Sequence, residues 1–68
     1  MTAIELTING KTQRTQAQTL AALLTELDFA DKRIAVEVNG EIIPKGLHAK
    51  TPLQAQDRIE IVVAVGGG

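Results

Sequence analysis

The sequence has no cysteine, tryptophan or tyrosine, and Phe29 is its only phenylalanine. Without cysteine there can be no disulfide, no thiolate metal ligand and no cysteine nucleophile. One aromatic ring cannot form a base-stacking platform, and a net charge of −1 provides no basic footprint, so nucleic-acid binding is not expected. No apolar run approaches the ~20 residues of a membrane span, and no basic-then-apolar leader opens the chain. The expected setting is therefore the cytoplasm, with no membrane partner. His48 is the only histidine, and it stands in a polar stretch with no Gly-x-Ser-x-Gly motif near it. These gaps remove most catalytic constellations, and the chain reads as a non-enzyme.

What is present is a small folding domain. The 68 residues are 44% hydrophobic and 22% charged, which fits one folded unit rather than a disordered segment. A chain this short buries only ~60% of the surface it exposes when unfolded, so each apolar element must contribute to the core.

Ile4, Leu6 and Ile8 alternate with Glu5 and Thr7, the period of a half-buried strand. Asn9-Gly10 then supplies a tight hairpin turn, and a polar edge strand over about Lys11 to Thr15 pairs back. The period changes at Leu20, Leu23, Leu24 and Leu27, one stripe of an amphipathic helix with Thr19 as N-cap. "RIAVEVNGEIIP" reads as strand, Asn39-Gly40 turn and short strand, with Pro44 marking a sheet edge. "KGLHAKTPLQAQD" reads as a loop in which Leu47 and Leu53 dip into the core.

The last strand, Arg58 to Val65, sets Ile59, Ile61, Val63 and Val65 on one face and Arg58, Glu60, Val62 and Ala64 on the other. Its apolar end predicts an interior position. One helix covers one face of one sheet, so the class is α+β. With the first and last strands parallel neighbours at the centre, the architecture is a β-grasp: a mixed sheet of four to five strands under one helix. Residues 1–65 form this domain and residues 66–68 a flexible glycine tail.

Chemistry-bearing side chains are few. His48 is expected to be a solvated loop residue. Glu5, Glu26, Asp28, Asp31, Glu37, Glu41, Asp57 and Glu60 are spread over turns and solvent faces, without an acid–base pair or metal cluster. What remains is the α-carboxylate of Gly68, ionised at neutral pH and a poor electrophile until activated. Gly66, Gly67 and Gly68 carry no side chains, so they could thread a narrow channel, and three extended residues reach ~10 Å. The bland alternative is an ordinary frayed terminus. By elimination, the face bearing Arg58, Glu60, Val62 and Ala64 is the candidate partner-docking surface: an apolar patch rimmed by charge.

The "TLAALLTEL" helix, the centre "IAVEVNGEIIPK" and the end "DRIEIVVAVGGG" together resemble the ThiS family, the ubiquitin-like sulfur carriers of thiamin biosynthesis. The likeness spans nearly the whole chain, and "VNGEIIP" and "VGGG" are its most diagnostic segments. Departures are Lys45 where arginine is common, Gln56 where a glycine usually precedes the aspartate, and Val63 where histidine often stands.

The resemblance implies adenylation of Gly68 by an E1-like, ThiF-type enzyme using ATP and magnesium. A persulfide sulfur donor would then leave a C-terminal thiocarboxylate, and a ThiG-type thiazole synthase would take the sulfur. Gly68 would be the covalent carrier, Gly66 and Gly67 would insert into partner sites, and the free carrier would be a monomer binding no cofactor or metal itself. Two relatives in chemistry stay open: a molybdopterin-type sulfur carrier, and a ubiquitin-like modifier conjugated to lysines through Gly68. A plain β-grasp interaction module, indifferent to loss of its glycines, is the third.

Overall fold

The computed structural model describes residues 2–64. The periods in the sequence become β1 (Ile4–Ile8), β2 (Lys11–Thr15), α1 (Leu20–Glu26), β3 (Ile34–Val38), β4 (Glu41–Ile42) and β5 (Arg58–Val63). At both hairpin turns the two central residues have positive φ: 51° and 82° at Asn9 and Gly10, 53° and 85° at Asn39 and Gly40. That backbone matches the twist of the flanking strands, which is why Asn-Gly is favoured there. The sheet order is β2-β1-β5-β3-β4. β1 and β5 run parallel and the other neighbours antiparallel. This is the β-grasp, with β5 at its centre.

The helix is fixed at both ends. The Thr19 hydroxyl accepts from Ala22 N at 3.2 Å, capping the first turn. Near the other end, the Thr15 hydroxyl reaches both Glu26 carboxylate oxygens, at 3.0 and 2.9 Å, and so holds the close of β2 against α1. Leu20, Leu23 and Leu24 pack on Leu6, Ile8, Val36, Ile59 and Ile61 to form the core, with Leu27, Phe29, Ile34 and Leu53 half-buried around it.

The segment between β4 and β5 departs from the sequence reading. Lys45–Lys50 form a 3-10 helix rather than an irregular loop. With three residues per turn it carries Leu47 outward, to 47% exposure, and His48 inward, to 8%. Leu47 therefore does not dip into the core, and His48 is not solvated. His48 Nε2 lies 3.0 Å from the Ile43 carbonyl; a carbonyl only accepts, so that nitrogen carries the hydrogen.

Asp57 is also buried, against its expected place among the solvated carboxylates. Its two oxygens accept from Asn39 Nδ2 at 3.0 Å and from Gln54 N at 2.9 Å, so the cost of burial is met by hydrogen bonds. At the other end of β5, Val63 lies on the helix-side face as expected but is 45% exposed, because the core closes at Ile61. Val65, expected to continue that face, lies outside the described residues, as does the boundary between domain and glycine tail.

Gln56 makes the turn into β5 with φ of +73°. A side chain in this left-handed region costs on the order of 1 kcal/mol that glycine avoids. Its N–H donates to Glu5 O at 2.7 Å, a backbone bond that any residue can keep. Gln56→Gly is therefore expected to stabilise the fold, raising the melting midpoint by roughly 7 °C for a net gain near 1 kcal/mol. A midpoint that falls on substitution would show that the turn is unstrained.

Candidate functional site

β5 carries the expected docking residues Arg58, Glu60 and Val62 and ends just before Ala64, the last residue described. Its backbone is held toward β3 along its whole length and toward β1 near its start. Toward β3, Asn39 N donates to Arg58 O at 2.7 Å and Ala64 N to Arg33 O at 2.8 Å. Toward β1, Thr7 N donates to Asp57 O and Asn9 N to Ile59 O, each at 2.9 Å.

Beyond that point β1 turns away, and the Asn9 side chain takes over. Asn9 Oδ1 accepts from Ile61 N at 2.7 Å and its Nδ2 donates to Ile61 O at 3.2 Å. The Asn39 side chain repeats the device, accepting from Arg58 N at 2.9 Å while its amide holds Asp57. Each such bond contributes about 1 kcal/mol. Both asparagines thus fix the last strand as well as make their turns, a second role that no sequence signal announced.

Of the expected docking residues, Arg58, Glu60 and Val62 share the outer face of β5, and Ala64 follows just past the strand. Arg58, Glu60, Val62 and Ala64 are all exposed, Val62 at 62%. The register adds neighbours that the sequence reading did not include: Ala35 opposite Val62, Glu37 opposite Glu60, and Ile42 beside Glu37. Ile42, at 69% exposure, is the most exposed large apolar residue described. Counting back through the Asn39-Gly40 turn pairs Glu37 with Ile42, so this residue was legible in principle. Glu37 and Glu60 stand directly opposite one another, a like-charge arrangement that disfavours the isolated sheet.

At the root of the tail a cleft of about 250 Å³ is floored by Leu24, Phe29 and Ile34, with Lys32, Arg33 and Lys45 around it and Ala64 in its wall. Gly66, Gly67 and Gly68 lie outside the described residues. Among the described residues no three of His, Cys, Asp and Glu are placed to hold a metal ion. Nor is any described helix long and apolar enough to cross a membrane.

Among the described residues this geometry offers an exposed sheet face that runs up to Ala64. The sequence profile of the ThiS family matches residues 2–68. The chain belongs to the ThiS family.

Solved structures agree with the profile. A crystal structure of the thiamine biosynthesis protein ThiS from Geobacter metallireducens matches this ThiS-family chain with a TM-score of 0.81 at 29% identity, covering 96% of this chain and all (100%) of that one. A solution structure from the same organism gives a TM-score of 0.77 at 29% identity, over 96% of this chain and 88% of that one. The fold and the family are those of the ubiquitin-like sulfur carriers of thiamin biosynthesis.

Among curated relatives, the uncharacterized protein ycf40 of Porphyra purpurea is 39% identical over 66 residues, 96% of this chain and 93% of its own length. A thiazole synthase of Paramagnetospirillum magneticum is 41% identical over 66 residues. The chain spans only 20% of that relative's length.

Proposed function

We propose that this chain carries sulfur as a thiocarboxylate on Gly68 and delivers it to thiazole formation. The observation that supports this most is the extent of the family match, which runs through the glycines to residue 68. In this reading an E1-like enzyme binds ATP and magnesium, and an oxygen of the Gly68 carboxylate attacks the α-phosphorus with loss of pyrophosphate. The terminal sulfur of a persulfide then attacks the activated carbonyl carbon, and AMP leaves with the bonding electrons. A second thiol breaks the remaining S–S bond, which frees the thiocarboxylate and leaves a disulfide on the donor side. Gly66 and Gly67 present no side chain to the partner's channel.

Thiazole synthase as the acceptor is supported by the relatives in which a stretch like this chain belongs to a thiazole synthase polypeptide. A carrier needs no acid–base pair of its own, since its partners perform each bond change.

The outer sheet face is the docking surface in this reading. Arg58, Glu60, Val62 and Ala64 combine exposed apolar area with charge beside the tail, and a cationic partner group would relieve the Glu37–Glu60 repulsion. Ala64→Asp would bury an unpaired carboxylate in the complex at a cost of roughly 2 kcal/mol, which is more than a tenfold loss of affinity. Titration against the adenylating enzyme checks this, and unchanged affinity would remove the face from the interface.

The test of the function is where an extension is tolerated. Ile4 lies beyond the start of β5, whereas the chain leaves β5 at Ala64. The six residue steps from Arg58 to Ala64 separate these ends by roughly 20 Å at ~3.3 Å per step. A tag before β1 should therefore leave ATP-dependent sulfur loading intact. A tag after Gly68 converts its carboxylate to an amide and should abolish loading in a protein that still folds. Sulfur loaded on an uncleaved C-terminally tagged chain would place the reactive group elsewhere.

A further inference from the structure

In a strand, successive residues direct their N–H and C=O groups to opposite neighbours. Along β5 the even-numbered residues bond toward β3, as Arg58 O and Ala64 N do. The odd-numbered ones, Asp57, Ile59 and Ile61, bond toward β1 or the Asn9 side chain. Val63 is the next odd residue. Its N–H and C=O therefore point to the β1 side, where the β1–β5 register has already ended at Ile8 opposite Ile59. Among the described residues, no hydrogen bond reaches Val63 from that side.

The central strand of the sheet thus has an open edge at the point where it leads into the tail. Val63 is also 45% exposed, so an unpaired backbone position and a partly exposed apolar residue coincide there. The sheet's two outer edges are blunted by comparison: β2 carries Lys11 and Arg14, and β4 is two residues long and soon followed by Pro44.

We propose that this edge is completed in the complex by an extended strand of the adenylating enzyme. That strand gives one C=O to the Val63 N–H, takes the Val63 C=O with one N–H, and covers the Val63 side chain with an apolar residue of its own. Pairing at this position sets the direction in which the tail leaves the fold, and so orients the carboxylate toward the α-phosphate before any chemistry. The inference rests on the carrier reading for its partner and on the backbone geometry for its place.

Two measurements test it. Amide hydrogen exchange is followed in the free chain and in its complex with the adenylating enzyme and ATP, and sulfur loading is read on the same sample by intact mass. The Val63 amide should exchange freely in the isolated chain and slow by roughly a hundredfold or more in the complex. Val63→Pro removes the donor without removing a bond of the free fold; affinity for the enzyme should drop about tenfold while the melting curve stays nearly in place.

A complex that loads sulfur with the Val63 amide unprotected overturns the strand pairing and leaves the carrier reading standing. Protection without loading upholds the pairing and overturns the carrier chemistry. Failure to form a complex at all overturns both. If Val63→Pro does not fold, the exchange measurement on the unaltered chain decides alone.

Discussion

Leu23→Ala is expected to remove a large share of the domain's stability. Leu23 is fully buried at the centre of the helix stripe, where it faces the sheet residues Leu6, Val36 and Ile59 across one small core. Truncation removes the transfer free energy of the lost methyl groups and leaves a cavity that a short, twice-anchored helix cannot close, together ~2–5 kcal/mol. A domain of 68 residues holds roughly 3–10 kcal/mol of net stability, so the substitution consumes a large share of it. Denaturant titration against the parent chain measures the loss directly. Ile42→Ala is the internal control: at 69% exposure its cost should stay within about 0.5 kcal/mol. Equal curves for the two variants would mean that the core does not lie where Leu20, Leu23 and Leu24 place it.

Removal of Gly67 and Gly68 is expected to do the reverse, abolishing sulfur transfer while leaving the melting curve unchanged. The core closes at Ile61, and the last backbone bond described, Ala64 N to Arg33 O, precedes the glycines. Glycine has no side chain to bury, so their loss should leave the hydrophobic term unchanged. It does move the terminal carboxylate back to Gly66, two extended residues or about 7 Å short of its place in the full chain. A partner site that requires the carboxylate beside the α-phosphate cannot be reached from the shortened end. Thiazole formation supported by the truncated chain would make the glycines dispensable, and the plain interaction-module reading would then be the better one.

The two predictions divide the molecule as the sequence divides it. The helix stripe, the two Asn-Gly turns and the parallel neighbours β1 and β5 were legible because each rests on a local rule: a period of 3.6, a dipeptide that tolerates positive φ, and a crossover long enough for parallel strands. The segment from Lys45 to Asp57 was not. It has no sustained period, and a short 3-10 helix interchanges which side chains face in, so Leu47 and His48 exchanged the places expected of them. Asp57 reads from sequence as one more surface carboxylate, since its burial depends on Asn39 and Gln54 being brought to it by the fold.

The outer face of β5 was legible at Arg58, Glu60 and Val62 from alternation alone. Its extension over Ala35, Glu37 and Ile42 required the register, and the open edge at Val63 required knowing where β1 stops. The terminal glycines, part of one of the two most diagnostic segments in the sequence, take their meaning from family membership.

The most direct test of the account is the intact mass of the purified chain after incubation with its adenylating enzyme, ATP, magnesium and a persulfide donor. The account predicts an ATP-dependent gain equal to the exchange of one oxygen for one sulfur, located by fragmentation to Gly68 and lost on reaction with a thiol-selective alkylating reagent in favour of the S-alkyl adduct. An unchanged mass, or a sulfur located on any other residue, would contradict it.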